Sequence, residues 1–400
     1  MPADAPPPLS EPAAETADRR GPPSLARRAA RRVLAAVGLR HEAEVPFRTP
    51  EEVAGFLADA AGAAAAGDAA RFAALLWQHD RGLLEYLRAW HVDGAPPRLA
   101  ADYVDDAQYR FLHTLGMVPL PPPARMLEIG SNPYYFHVLL HKLFPHAEIH
   151  GLNFFDHDIF STRQDTIVQT TRNRWTGERF AFSSRLLNLE ATARYPYPDD
   201  AFDLVFFCET LEHLVVDPLA VFGRLERILS PGGCLLVTVP NAVRLTNYAL
   251  MLHGYNFFDA YQTQNGVYGR HNREFTLAEL RTVLQENGFE VLRAETHDRT
   301  DYNRVEIITC DYTGRRVVLP ENRRSLLAKL RRGGGTLADR GDNLYLLARK
   351  PRAGEARARA AGASAATGTA GATGAAGTAG AAGTVSAEPA APRTPPVEAS

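Results

Sequence analysis

Residues 202–214, FDLVFFCETLEHL, are an apolar run that ends abruptly in two acids and a histidine. Phe202–Phe207 is too short for a helix and apolar enough to be buried on both faces, as the central strands of a parallel sheet are. Working outward, further strands are predicted at Arg125–Ile129, Glu148–Leu152 and Arg185–Asn188 upstream, and at Cys234–Val239, Glu290–Glu295 and Leu344–Arg349 downstream. Helices fall between them. Tyr134–Leu143 follows Asn132-Pro133, Leu219–Leu229 follows the cap Asp217-Pro218, and Leu277–Asn287 follows a Thr276…Glu279 capping box. This alternation predicts an α/β fold with a mostly parallel sheet and helices on both faces. Ligands of such sheets sit at the carboxyl ends of the strands, so the chemistry belongs after Ile129, Leu152, Asn188, Phe207 and Val239.

The flanks read differently. Residues 26–117 read as a helical N-terminal region. Thr49-Pro50-Glu51-Glu52 opens one helix, and Phe72, Leu75, Leu76, Leu84, Leu87 and Trp90 form one apolar stripe over Asp68–Trp90. Pro119–Pro123 is a stiff linker. Residues 1–25 and the Ala/Gly/Thr/Pro-rich stretch 353–400 hold too few core formers to offset backbone entropy, and are predicted to be disordered tails. The 400 residues carry a formal net charge of −2, which excludes a polycation built to coat nucleic acid. Cys208, Cys234 and Cys310 stand far apart without a CxxC pair, so neither a disulfide scaffold nor a thiolate zinc cage is expected. No signal-peptide core and no membrane-length apolar stretch is visible, and the reading is a cytoplasmic protein. Arg19–Arg40 carries seven Arg and no acid. It reads as a solvated junction, with a basic amphipathic helix touching RNA, an acidic partner or a membrane surface as the alternative.

The strand ends hold Glu128-Ile129-Gly130-Ser131-Asn132-Pro133-Tyr134, then FDLVFFCETLEHL, then Leu229-Ser230-Pro231-Gly232-Gly233, then a strand ending Pro240-Asn241, then Tyr268–Thr276 as YGRHNREFT. In this order, over about residues 124–350, the blocks resemble the class I S-adenosylmethionine-dependent methyltransferases (type 11, 12 and 23-like domains). The resemblance implies a Rossmann-like, seven-stranded sheet and S-adenosylmethionine as cofactor. It places Glu128, Gly130, Ser131 and Asn132 at the methionine end, Asn153 at the ribose and Asn188 and Leu189 beside the adenine. Two departures stand out. A single glycine, G-S-N-P-Y, replaces G-x-G-x-G, and Asn153 replaces the ribose-binding acid, with Asp156 three residues on. An amide bonds a hydroxyl without charge assistance, so a weaker contact is expected.

If a helix begins at Glu209, then Glu209, Glu212 and His213 share one of its faces. The same Glu-x-x-Glu-His pattern resembles that of ubiquinone-pathway O-methyltransferases and of small-RNA 2′-O-methyltransferases. By that likeness Glu209, Glu212, His213 and a later histidine, here His271, would hold Mg²⁺ or Mn²⁺. The residues themselves leave three readings open: metal ligands, His213 as general base with Glu209 and Glu212 as its catalytic partners, or a structural helix start. The insertion Asn241–Tyr268, with Asn247, Tyr248, Tyr255, Asn256, Phe257, Phe258, Asp259 and Tyr261, is the expected acceptor pocket, or else a lid. The expectation is O-methylation of a small-molecule or glycan-type hydroxyl, with nucleic acid not expected as a partner. A non-catalytic binding module and an RNA 2′-O-methyltransferase stand as alternatives. A nicotinamide enzyme is disfavoured, since G-x-G-x-x-G is missing.

Overall fold

The computed structural model describes residues 47–94, 97–155, 158–258, 267–298, 307–310, 316–352 and 354–355. The two expected tails, the Arg19–Arg40 segment, Asp156, Asp259 and Tyr261 lie outside the described residues, residues 354–355 excepted. Four helices come first: α1 (Pro50–Ala65), α2 (Ala69–Gln78), α3 (Asp80–Arg88) and α4 (Pro97–Leu115), with a short strand β1 (Trp90–Val92) before α4. The α/β part then runs β2 (Arg125–Ile129), α5 (Tyr135–Leu143), β3 (Glu148–Asn153), β4 (Gln164–Asn173), β5 (Arg179–Leu187), β6 (Phe202–Cys208), α6 (Pro218–Ile228), β7 (Leu229–Pro240), α7 (Leu245–Leu252), α8 (Leu277–Glu286) and β8 (Glu290–His297). A separate hairpin of β9 (Ile307–Cys310) and β10 (Arg316–Leu319), then α9 (Arg323–Arg332) and β11 (Asn343–Arg349), complete it.

The main sheet has nine strands in the order β1-β4-β5-β3-β2-β6-β7-β11-β8, rather than the expected seven. Its centre, β5-β3-β2-β6-β7, is parallel throughout. The outer pairs are antiparallel. The two unforeseen strands lie together at one edge. Strand β4 is half exposed along most of its length, so it lacks the apolar run that marks a central strand. The strand expected at Arg185–Asn188 is the end of the longer β5, which forms a hairpin with β4.

The expected stripe over Asp68–Trp90 is two helices broken at His79, followed by a strand. His79 stacks on Phe47 with centroids 5.3 Å apart, and a Cβ at Gly82 would come within 2.4 Å of the Phe47 ring. One continuous helix would forfeit that close approach. The capping signals at Thr49, Asp217 and Thr276 do what their residue types dictate, each side chain accepting N–H bonds from its helix's first turn.

Strand alternation feeds two cores. Met126, Leu204, Phe206 and Leu236 face the N-terminal helices, while Leu127, Val205, Phe207 and Leu235 face α6 and α8. The helical region is thereby welded to one face of the sheet, and α4 passes over the carboxyl ends of the central strands.

Candidate active site

A cavity of about 540 Å³ opens at those ends. Its near wall is the turn after β2. Gly130 has φ +76° and donates its N–H to the Leu152 carbonyl at 2.8 Å, and a Cβ there would meet Thr210 Oγ1 at 3.0 Å. Only glycine fits this conformation without strain. Asn153 braces the same turn: its Oδ1 accepts the Asn132 N–H at 2.8 Å, and its Nδ2 reaches Ser131 Oγ at 3.0 Å and Tyr134 Oη at 3.2 Å. Of the residues expected to hold the cofactor, Glu128, Gly130 and Asn132 line the cavity. Ser131 and Asn153 stand behind the turn, and Asn188 and Leu189 lie outside this lining. The Asn188 side chain caps the following loop, accepting from Glu190 and Ala191 and donating to the Ile159 carbonyl and Tyr268 Oη. Buried Glu128 bonds His137 Nδ1 at 2.7 Å. Burial pushes its carboxyl well up and the His137 imidazole down to about 3, so this pair sits between neutral groups.

The floor follows β6, and here the expected helix does not form. Glu209 is left-handed at φ +47°, and only a 3₁₀ turn, Leu211–His213, follows. The shared helical face therefore does not exist, and Glu209 parts company with its neighbours. Its carboxylate is taken by Arg110 at 3.0 Å, Thr238 Oγ1 at 2.9 Å and Asn343 Nδ2 at 3.0 Å. These contacts hold a side chain in a backbone region that non-glycine residues avoid. Burial alone, the largest single influence, would lower the Arg110 pKa, but the surrounding groups, Glu209 first among them, together outweigh it and the net direction is upward.

Glu212 is the opposite case. It is 1% exposed, and neither carboxylate oxygen has a hydrogen-bond partner. Burial first, and the Glu209 charge second, push its pKa well above the ordinary carboxylate value. His213 Nε2 lies 3.9 Å from Glu212 Oε1, while His213 Nδ1 bonds the Arg270 carbonyl at 2.9 Å. The loop carrying His271 is stapled here by backbone: Asn272 N–H donates to the Glu212 carbonyl at 2.7 Å, and Asn272 Nδ2 to the His213 carbonyl at 2.9 Å. Glu212, His213 and His271 each present one ligand atom, all within 4.8 Å of one another. Three of the four expected metal ligands thus converge, and Glu209 does not.

The individual residues of the remaining walls were not singled out in the sequence. Tyr103, Asp106, Arg110 and Thr114 of α4 line the cavity at helical spacing, a polar stripe beside the apolar one of Val104, Ala107, Phe111 and Leu115. That second stripe was the available signal. From the expected acceptor insertion, Arg244 and Thr246 reach the cavity, but Asn247, Tyr248, Tyr255, Asn256, Phe257 and Phe258 are not among its lining. Tyr248 and Phe257 instead pack on the small core of α7, α9 and Leu319.

Residues 101–294 match the family model for a methyltransferase domain. Among curated relatives, trans-aconitate 2-methyltransferase of Variovorax paradoxus is 27% identical over 155 residues, 39% of this chain and 53% of that protein. Its namesake from Methylobacterium nodulans is 29% identical over 137 residues, 34% of this chain and 46% of that one. The chain thus spans about half the length of the curated relatives it matches. Among solved structures, an S-adenosylmethionine-dependent methyltransferase from Mesorhizobium loti is 15% identical, with 61% of this chain and 97% of that chain covered at a TM-score of 0.34.

Proposed function

We propose that this chain, whose residues 101–294 match a methyltransferase-domain family model, is a class I S-adenosylmethionine-dependent methyltransferase that methylates a hydroxyl oxygen of a small, polyhydroxylated acceptor in this cavity. Convergence of Glu212, His213 and His271 opposite the Gly130 turn is the observation that carries the reading. Bound S-adenosylmethionine supplies an activated methyl group. The residues that fit it are Gly130, whose missing side chain leaves backbone exposed, with Glu128 and Asn132 beside it; we assign Ser131 and Asn153 to bracing that turn, and Asn188 and Leu189 to the adenine side. The chain's own work is to align the acceptor, exclude water and take up a proton. Alignment is worth roughly 7–11 kcal/mol and proton removal about 10²–10⁴-fold. His213 suits the proton role: a carbonyl only accepts, so Nδ1 carries the hydrogen toward Arg270 and Nε2 carries the lone pair. Glu209 supports the floor rather than the chemistry.

Charge favours a neutral acceptor over a polycarboxylate. The two cavity arginines are already paired, Arg110 with Glu209 and Arg244 with Glu274 at 2.7 Å. A second reading, a divalent cation, draws on the partnerless Glu212 oxygens beside two imidazoles. Glu212, His213 and His271 would hold Mg²⁺ or Mn²⁺, which lowers the pKa of a coordinated hydroxyl. If Glu212→Ala and excess EDTA both leave turnover unchanged, that reading fails.

The test is methyl transfer from methyl-tritiated S-adenosylmethionine to a panel of mono- and disaccharides beside a panel of di- and tricarboxylic acids. Base-stable label on a sugar supports the proposal. Base-labile label on a carboxylic acid alone overturns it.

A further inference from the structure

Glu274 is a buried acid outside the cavity lining. Both its oxygens are used, and every partner on one of them is a pure donor. Oε2 accepts Arg244 Nη1 at 2.7 Å and Asn247 Nδ2 at 2.9 Å, while Oε1 faces His271 Nδ1 at 3.2 Å. Guanidinium and amide N–H groups donate only, so the Glu274 carboxylate is locked as an acceptor. His271 Nδ1 must then be the donating nitrogen, which leaves the ring's lone pair on Nε2. The His213 ring, 5.0 Å away centroid to centroid, is locked the same way by the Arg270 carbonyl. Two imidazoles from segments nearly 60 residues apart are thus held in one tautomer beside Glu212, by unrelated acceptors. Coincidence of this kind is what a site that needs two Nε2 lone pairs would require.

We propose that Glu274, held by Arg244 and Asn247, is a positioning residue that fixes His271 as its Nδ1–H tautomer and so makes Nε2 the ring's acceptor nitrogen. The inference rests on the methyl-transfer reading above, but its test does not need the acceptor. In full-length protein with ¹⁵N-labelled histidine at about pH 8, where ordinary imidazoles are neutral, long-range ¹H–¹⁵N spectra report which ring nitrogen is protonated. His271 should show protonated Nδ1 and bare Nε2. Glu274→Leu should give a tautomer mixture or inversion, and Glu274→Asp should restore the wild-type pattern. S-adenosylhomocysteine titration of each variant separates the two claims. Wild-type affinity, within about twofold, with an altered His271 signal supports the positioning role. An Nε2–H tautomer in the wild type, or an unchanged His271 signal in a folded Glu274→Leu, overturns it. Loss of S-adenosylhomocysteine binding in the wild type sinks the methyl-transfer reading and leaves the tautomer result standing on its own. Should Glu274→Leu fail to fold, Asn247→Ala, which removes one of the two donors to Glu274 Oε2 together with a bond to the Ala242 carbonyl, carries the same readout.

Discussion

The two sides of the cavity treat their polar groups in opposite ways. On the β2 side, Gly130, Ser131, Asn132, Tyr134 and Asn153 bond to one another or to neighbouring backbone, and the turn is complete as it stands. On the β6 side, Glu212 is buried as deeply as any of them and bonds to nothing through its side chain. An unsatisfied buried carboxyl costs roughly 1–3 kcal/mol or more, which a fold does not retain for packing alone. The contrast teaches that one wall is a preformed cradle, while the other leaves the Glu212 carboxyl without a hydrogen-bond partner. Glu209, three residues from Glu212, marks the boundary: it belongs to the satisfied half.

That division is sharpest at Arg110. Arg110→Met removes the cation and leaves half-buried Glu209 with two neutral donors, and breaking one partner of so shielded a pair costs up to about 3–5 kcal/mol. A drop of this size in the denaturant midpoint stability is expected, and a change under about 1 kcal/mol would erase the distinction between the two acids. Next comes the unsatisfied side. His213→Ala should lower transfer by about 10²-fold or more while leaving S-adenosylhomocysteine affinity intact. Full activity would show that His213 takes no proton. Gly130→Ala attacks the cradle instead: a forced left-handed residue costs about 1–2 kcal/mol, and cofactor affinity measured by titration should fall about tenfold, with the far wall unaffected.

The smallest effect is a pH signature. Donation from His271 and the charge of Arg244 outweigh burial and hold Glu274 at about 2, below its ordinary 4.5. A depressed carboxyl stabilises the fold above its unfolded pKa, and that contribution is lost as pH falls from about 4.5 toward about 2. Glu212 is displaced upward, so its contribution runs the other way and fades as pH rises above 4.5. Glu274→Gln should therefore flatten the acid limb of a stability–pH profile, while Glu212→Gln should flatten the limb above it. Matching slopes in both variants would contradict the assignment.

How far the sequence could be read follows the same line between local and long-range causes. Strands lie at all seven expected positions, the central ones β2, β6 and β7 each carrying its own apolar run, and the capping residues declare their helices within three positions. The edge strands β1 and β4 announce nothing locally. β1 is a strand only because β4 lies beside it, and β4 because it pairs with β5. In the site, Glu212 and His213 stood out by residue type and spacing, and His271 only through the family resemblance. Glu209 was misplaced because helical spacing was assumed where three distant donors, Arg110, Thr238 and Asn343, instead pin a left-handed residue. Of these, only Arg110 left a trace in the sequence, as one member of the polar stripe along α4. Glu274 stood within the YGRHNREFT block yet had no visible role until its three donors were seen together.

Whether the Gly130 crevice takes the cofactor is decided most directly by calorimetric titration of the full chain with S-adenosylhomocysteine. A single saturable site, abolished by a bulky Gly130→Leu replacement and retained in His213→Ala, is the expected result. Absence of heat together with an unshifted melting curve at saturating concentration would mean that the cradle holds something else.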